Sequence, residues 1–373
     1  MRNILFLFTF LFTSVTCFSQ SYSFETLIDL ETTEVISQGN TGTCWSFSTS
    51  SFLESEIIRL TGKQIDISEM FQVRHTYPKK AWNYVMRQGK AQFSEGGLAH
   101  DVMNSIRDYG LVPQSVYSGM ETGSTGHNHA EMVAVLNGIL DVYIDNPGRR
   151  LSPKWQAVVN STLDTYLGED ITTFNYEGVE YTPKSFQAMT KINPDNYVSI
   201  TSFSHKPFYS QFILNIPDNF SSGSFYNVPL DELIETINHA LKNGYTVELD
   251  CDVSEKTFSA KHGIAIIPEN EATAAEAIIS IRPEKTITPN YRQQEFENYA
   301  TTDDHLMHIT GLLKDQNGTV YYKVKNSWGT DASRVANNGY VYMSEAYMRL
   351  KTISIMVHQD AVTNDLKKKL KLN

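Results

Sequence analysis

Three stretches, far apart in the chain, carry residue types that together could perform acyl transfer through a thiol. The first is Gln38-Gly39-Asn40-Thr41-Gly42-Thr43-Cys44-Trp45-Ser46-Phe47, a glycine-containing turn that runs into apolar residues at Phe47, Phe52, Ile57 and Leu60 and stops at Thr61-Gly62. That spacing predicts a helix with Cys44 at its start. There the helix dipole and the unpaired N–H groups of the first turn favour a thiolate, the reactive form of cysteine. The same N–H groups, with the Gln38 side-chain amide six residues upstream, are suited to donate to the oxyanion formed when a thiolate attacks a peptide carbonyl.

A thiol nucleophile needs a base, and candidates lie in Asp304-His305-Leu306-Met307-His308-Ile309-Thr310-Gly311-Leu312. This stretch alternates as a strand does. A turn at Lys314 to Gly318 and a second strand from Thr319 to Val324 follow, leading into Asn326-Ser327-Trp328-Gly329. In such a hairpin an asparagine side chain can accept a ring N–H and orient an imidazole. His305 and His308 are three residues apart, so on a regular strand they face opposite sides and only one of them can meet Cys44. Cysteine, one histidine and Asn326 would then act as a triad.

These elements need a large domain to hold them. The chain has 373 residues, 41% of them hydrophobic, which is enough for one big domain or two moderate ones. A formal charge of -11 offers no basic face for phosphates, so nucleic acid is a poor partner and peptides are better ones. Residues 1–19 read as an export signal: Arg2 precedes the apolar run Ile4 to Phe12, which is shorter than the roughly 20 residues a membrane span needs. No stable membrane anchor is expected, and the protein is read as periplasmic or secreted. A lipoprotein site at Cys17 is the weaker alternative, because Ser14-Val15-Thr16 matches it poorly. Removal of Cys17 with the signal leaves Cys44 and Cys251, too few for a disulfide scaffold. Asp250 with Asp252, Asp303 with Asp304, and His127 with His129 lack convincing metal-ligand spacing, so no metal and no cofactor is expected.

The Gln-Gly and Gly-x-Cys-Trp-x-Phe pattern, together with Asn326-Ser327-Trp328-Gly329, resembles the papain superfamily of cysteine peptidases. Threonine at position 41, where papain-like enzymes usually carry cysteine, points to the bleomycin hydrolase/aminopeptidase C family within it. The resemblance extends to Ile67-Ser68-Glu69-Met70, to Glu95-Gly96-Gly97, to Asp108-Tyr109-Gly110-Leu111-Val112-Pro113, and to the segment around Cys251-Asp252-Val253. It implies an α+β, papain-like fold with a helical lobe and a β-rich lobe over residues 20–373 and a largely helical insertion at about 120–229; the lysine-rich residues 363–373 read as a basic, solvated tail. It selects His305 over His308, because the family's histidine precedes a glycine by six residues, as His305 precedes Gly311. Cys44 is then the nucleophile, His305 the base and Asn326 its orienter, with Gln38 on the oxyanion. Trp328 would shield the His305–Asn326 bond, and Gly96 and Gly97 would line the substrate cleft. Cys251 becomes a structural strand residue.

The resulting expectation is a cysteine aminopeptidase that removes N-terminal residues from peptides. In this family a C-terminal tail lies in the cleft and holds the substrate's free amine, and six copies assemble. The short ending Asp365 to Asn373 argues against both features here. An endopeptidase or dipeptidase with an open cleft is therefore the alternative, and a non-catalytic peptide-binding protein is a more distant one.

Overall fold

The computed structural model describes residues 21–372, apart from 121–122, 146–147 and 149. The export signal expected at residues 1–19 lies outside the described residues. The apolar stretch after the first turn forms helix α1 (Cys44–Thr61), which begins at the cysteine and ends where Gly62 takes φ 71°, a left-handed conformation that glycine adopts without strain. Almost every residue from Cys44 to Ile57 is buried, polar ones included, because α1 is covered on both sides. On one side lie α2 (Glu69–Met86) and α3 (Ala99–Tyr109), and on the other lies the central sheet. Some of the polar groups find partners across these contacts: Ser46 donates to the Glu69 carbonyl at 2.8 Å, and Ser55 to the Glu31 carbonyl at 2.9 Å. Ser68 caps α2 by accepting the Phe71 N–H at 3.0 Å.

Helices α4 (Ala130–Ile144), α5 (Trp155–Leu167) and α6 (Pro183–Thr190) extend the helical side. Leu136, Leu140, Val159, Leu163 and Phe186 share one apolar core with Phe52, Leu53 and Ile57 of α1. A hairpin of β2 (Phe174–Tyr176) and β3 (Val179–Tyr181) lies between α5 and α6. Beyond α6, the stretch read as largely helical also carries strands. Its strands β4 (Tyr197–Thr201), β5 (Ser210–Ile213) and β6 (Ser224–Asn227) join the main sheet.

That sheet has eleven strands among the described residues. From one edge it runs β5, β6, β4, then β13 (Thr352–His358), β7 (Val247–Cys251), β10 (His305–Asp315), β11 (Val320–Lys325), β12 (Tyr340–Ser344), β9 (Ile264–Ala265) and β8 (Phe258–Ser259). Strand β10 is its axis. Along one side its first half pairs with β7 and its second half with β1 (Phe24–Asp29), and along its other side it pairs with β11. Helix α7 (Leu230–Lys242) buries Leu233, Ile237 and Leu241 on the sheet, with Asp231 and Glu232 in its first turn. Three helices, α8 (Ala274–Ala277), α9 (Pro289–Glu297) and α10 (Glu345–Lys351), fill the connections around it. The last helix, α11 (Asn364–Leu370), buries Leu366 and Leu370 in the same core. Its lysines, expected to be a solvated end, are partly paired: Lys369 binds Glu232 at 2.9 Å and Lys367 binds Asp360 at 3.1 Å.

Gly311 gives the histidine-to-glycine interval a physical meaning. A methyl group on it would overlap the Ile28 carbonyl oxygen, because β1 crosses β10 there. Gly311→Ala is therefore expected to push β1 off the sheet and to lower stability by about 1–3 kcal/mol, the usual cost of overpacking. Thermal denaturation of the variant beside the parent protein, with an unchanged melting curve as the contrary result, checks this.

Candidate active site

Cys44 occupies the first helical position of α1 and is 9% exposed. Its N–H, like those of the rest of the first turn, has no acceptor within the helix. The turn before it is fastened at several points. Gly39 has φ 68° and lies so close to the His127 backbone that any side chain would collide. Asn40 N–H donates to the His127 carbonyl at 2.8 Å. The His127–His129 segment thus braces the turn through its backbone. Glu95 fastens the other side: its carboxylate accepts the Gly42 N–H, and its carbonyl accepts the Trp45 indole N–H at 2.9 Å. The indole lies on Gly97, where a Cβ would sit 3.0 Å from Trp45 Cε2. Gly96 and Gly97 therefore border the nucleophile turn directly.

His305 and Asn326 come from the facing ends of β10 and β11. His305 Nε2 donates to Asn326 Oδ1 at 2.8 Å, and that oxygen also accepts the Ser327 N–H at 2.7 Å. With Nε2 carrying the proton, Nδ1 keeps the lone pair and is the nitrogen free to act as a base. The Trp328 ring stands 5.0 Å from the His305 ring at 32° and covers the bond, with Phe258 behind it. The N–H of Leu306, next to His305, faces the Cys44 sulfur. His308 faces away from Asn326: it is fully buried, with Nδ1 3.0 Å from Ser51 Oγ on α1.

Gln38 is brought alongside Asn326 by a short antiparallel pairing: its N–H donates to the Ser327 carbonyl at 2.9 Å, and the Gly329 N–H donates to the Ile36 carbonyl at 3.2 Å. Its side-chain amide is engaged in this structure. Nε2 donates to the Thr41 carbonyl at 2.7 Å, and Oε1 accepts from Ser327 Oγ at 2.5 Å. The amide therefore has to turn, or to share its hydrogens, to meet an oxyanion. Glu95 and Ser327 both stand inside quoted motifs, but nothing in their residue types alone marked them as supports of the turn and of Gln38.

The electrostatics differ from the expectation of a resting thiolate. Burial pushes the Cys44 thiol up to about 12, partly opposed by the Leu306 N–H and reinforced by Asp218, Asp303 and Asp250. Burial also pushes the His305 imidazole down to about 4, opposed by its bond to Asn326. A helix N-terminus contributes at most about 2 kcal/mol, too little to overturn that burial. Burial thus acts against the thiolate–imidazolium form of the unliganded pair from both sides.

Behind the triad, a cavity of about 340 Å³ lies between α1 and the β10–β11 hairpin, lined by Ser48, Ser51, Glu54, Glu69, His308 and Lys325 among others. Lys325 Nζ donates to the Thr33 carbonyl at 2.9 Å and to Thr33 Oγ1 at 3.0 Å; Thr33 Oγ1 in turn donates to Glu54, which also accepts the Ile67 N–H at 3.0 Å. Burial pushes the Glu54 carboxyl up to about 8, against the pull of Lys325. Lys325 immediately precedes Asn326, so this network fixes Asn326 relative to α1.

Comparison with known proteins places this arrangement. A family model described as Peptidase C1-like family matches residues 167–373, and one described as Papain family cysteine protease matches residues 26–133. The chain belongs to the Peptidase C1-like family. Among curated relatives, Aminopeptidase C of Listeria monocytogenes is 25% identical over 386 aligned positions, covering 91% of this chain and 83% of that protein. Aminopeptidase G of Lactobacillus delbrueckii subsp. lactis is 22% identical, covering 90% and 83%. The mitochondrial Cysteine proteinase 1 of Saccharomyces cerevisiae is 21% identical, covering 93% and 79%. The crystal structure of PepW from Lactobacillus rhamnosis superposes with a TM-score of 0.75 at 20% identity over 93% of this chain and 84% of that one, which establishes the papain-like α+β fold.

The two histidines are separable by experiment. As pH falls through about 4, His305 becomes protonated and cannot take the thiol proton, so alkylation of Cys44 by iodoacetamide is expected to decline with a midpoint there. His305→Ala should slow alkylation at pH 7 by about 100-fold, the scale of a lost general base, and shift its rise to strongly alkaline pH. His308→Leu should keep the parent profile; the reverse pattern would make His308 the base.

Proposed function

We propose that this protein is a cysteine aminopeptidase that releases N-terminal residues from peptides through an acyl-enzyme. The observation that carries the reading is the His305–Asn326 bond under Trp328, set beside a cysteine that opens a buried helix. Cys44 attacks the carbonyl carbon while its proton passes to His305 Nδ1. The imidazolium then protonates the leaving amine, and the same nitrogen later takes a proton from the water that releases the acyl group. The oxyanion receives the Cys44 N–H and, once its amide turns, Gln38. Trp328 keeps water from the His305–Asn326 bond. Gly96 and Gly97 leave room for an extended peptide backbone to approach. Relatives named Aminopeptidase C and Aminopeptidase G, matched over nine-tenths of this chain, support removal of amino-terminal residues. We further read residues 1–19 as an export signal, so that the peptides are met outside the cytoplasm.

One observation favours the endopeptidase alternative. Helix α11 buries Leu366 and Leu370 in a core shared with α7 and pairs Lys369 with Glu232, and among the described residues none of its hydrogen bonds or ion pairs reaches Cys44, His305 or Gly96. Hydrolysis of an aminoacyl fluorogenic amide and of an N-acylated peptidyl amide, under reducing conditions, separates the two readings. The aminopeptidase is expected to cut the first by at least about 10-fold better in kcat/KM, or about 1.4 kcal/mol, and Cys44→Ala to abolish both activities. Preference for the blocked substrate would make the protein an endopeptidase, and turnover undiminished in Cys44→Ala would remove the peptidase reading.

A further inference from the structure

Gly96 is covered by a part of the chain that carries no motif. Residues 214–223, between β5 and β6, fold into a closed loop: Asn219 Nδ2 donates to the Leu214 carbonyl at 2.8 Å and the Gly223 carbonyl at 2.9 Å, while its Oδ1 accepts the Gly223 N–H at 2.7 Å. The loop is tied to α3 by Ser221, which donates to Asp101 at 2.6 Å and lies 2.9 Å from His100 Nε2. Its Phe220 ring lies under the Lys80 ammonium at 5.2 Å, and the same ammonium donates to the Gly96 carbonyl. This construction sets the Asp218 carboxylate directly on Gly96, where any side chain at position 96 would displace it. Asp218 Oδ1 accepts from Gln92 at 3.2 Å; Oδ2, the oxygen closest to Gly96, accepts no hydrogen bond among the described residues.

The surroundings are acidic on the side of the nucleophile. Asp303, two residues before His305, faces the Asp218 backbone N–H and the carboxyl of Asp250. Asp303 and Asp250 meet carboxyl to carboxyl in a buried position, and Asp250 is 1% exposed. Lys80 is the cation that answers Asp218, and it is committed to the Gly96 carbonyl. Asp218 is therefore a half-buried carboxylate whose Oδ2 accepts no hydrogen bond among the described residues, with Asp101 and Asp303 as its acidic neighbours and a closed loop to hold it.

We propose that the Asp218 carboxylate, held over Gly96 by the 214–223 loop, receives the free α-ammonium group of the peptide substrate and makes the site select unblocked amino termini. The inference rests on the peptidase reading above and names the residue that would confer its amino-terminal selectivity. An ammonium supplies the donors that Oδ2 lacks. An N-acyl group supplies no charge and adds bulk against the loop, so it is penalised twice.

The test compares an aminoacyl fluorogenic amide with its N-acetyl counterpart on the full protein, on Asp218→Asn, on Asp218→Ala and on Asp218→Glu, each rate divided by the number of Cys44 thiols alkylated by iodoacetamide so that only folded sites are counted. The ratio of kcat/KM for free over acetylated substrate is expected to fall by about 30-fold or more in Asp218→Asn and Asp218→Ala, the size of a lost charged hydrogen bond. The loss should fall mainly on KM for the free-amine substrate, and Asp218→Glu should restore part of it. A ratio unchanged in Asp218→Asn, or equal losses on both substrates, would overturn the assignment while leaving the peptidase intact. A parent protein that cuts neither substrate above the Cys44→Ala blank would remove the peptidase reading and this inference with it.

Discussion

The packing of α1 against β10 is the constraint on which the rest of the site depends. Helix α1 carries Cys44 and β10 carries His305, so their mutual position sets whether sulfur and imidazole can exchange a proton. Apolar contact alone would tolerate sliding. The buried chain from Lys325 through Thr33 to Glu54 and the Ile67 N–H adds a direction to that contact. Buried ionic groups of this kind contribute little net stability, because desolvation offsets their attraction. Here the network joins the residue before Asn326 to the middle of α1, and that supports a role in register.

Burial also decides the chemistry. The helix N-terminus acts on Cys44 in the direction inferred from the sequence, but burial of the thiol acts in the opposite direction and is larger. Burial therefore disfavours charge separation in the unliganded pair. The carboxylate of Asp218 in the 214–223 loop acts in the same direction as burial on the thiol.

Much of the site could be read from the sequence because its parts demand particular residue types. A reactive thiol at a helix start needs a turn before it, and the glycines at 39 and 42 announced one. The hairpin that joins His305 to Asn326 is local and follows from alternation and a turn. Alternation also separated His305 from His308, although only the family interval ending at Gly311 chose between them, and the reason for that interval, the Ile28 carbonyl of β1, is invisible without the fold. What could not be read depends on long-range placement. Strands β4, β5 and β6 are three to five residues each and lie in a stretch whose preceding helices suggested more of the same. Asp218 is an unremarkable loop aspartate until tertiary structure lays it on Gly96. Glu95 and Ser327 act through backbone groups of distant residues, which no spacing rule encodes.

The pairing of β1 with β10 carries a consequence for how the protein comes into being. Lys323 holds Asp29 across 294 positions of sequence, and Thr33 meets Lys325 across 292. Contacts of such separation form late, because the chain must close a very long loop before they return any stabilisation. The base, its asparagine and the strand that braces Gln38 all lie beyond residue 300 or pair with residues there. A nascent chain emerging from its N-terminus thus displays the cysteine long before it has a partner for it. Synthesis and any passage in an unfolded state are in this way separated from proteolysis by topology, and activity appears only when the two ends of the chain meet.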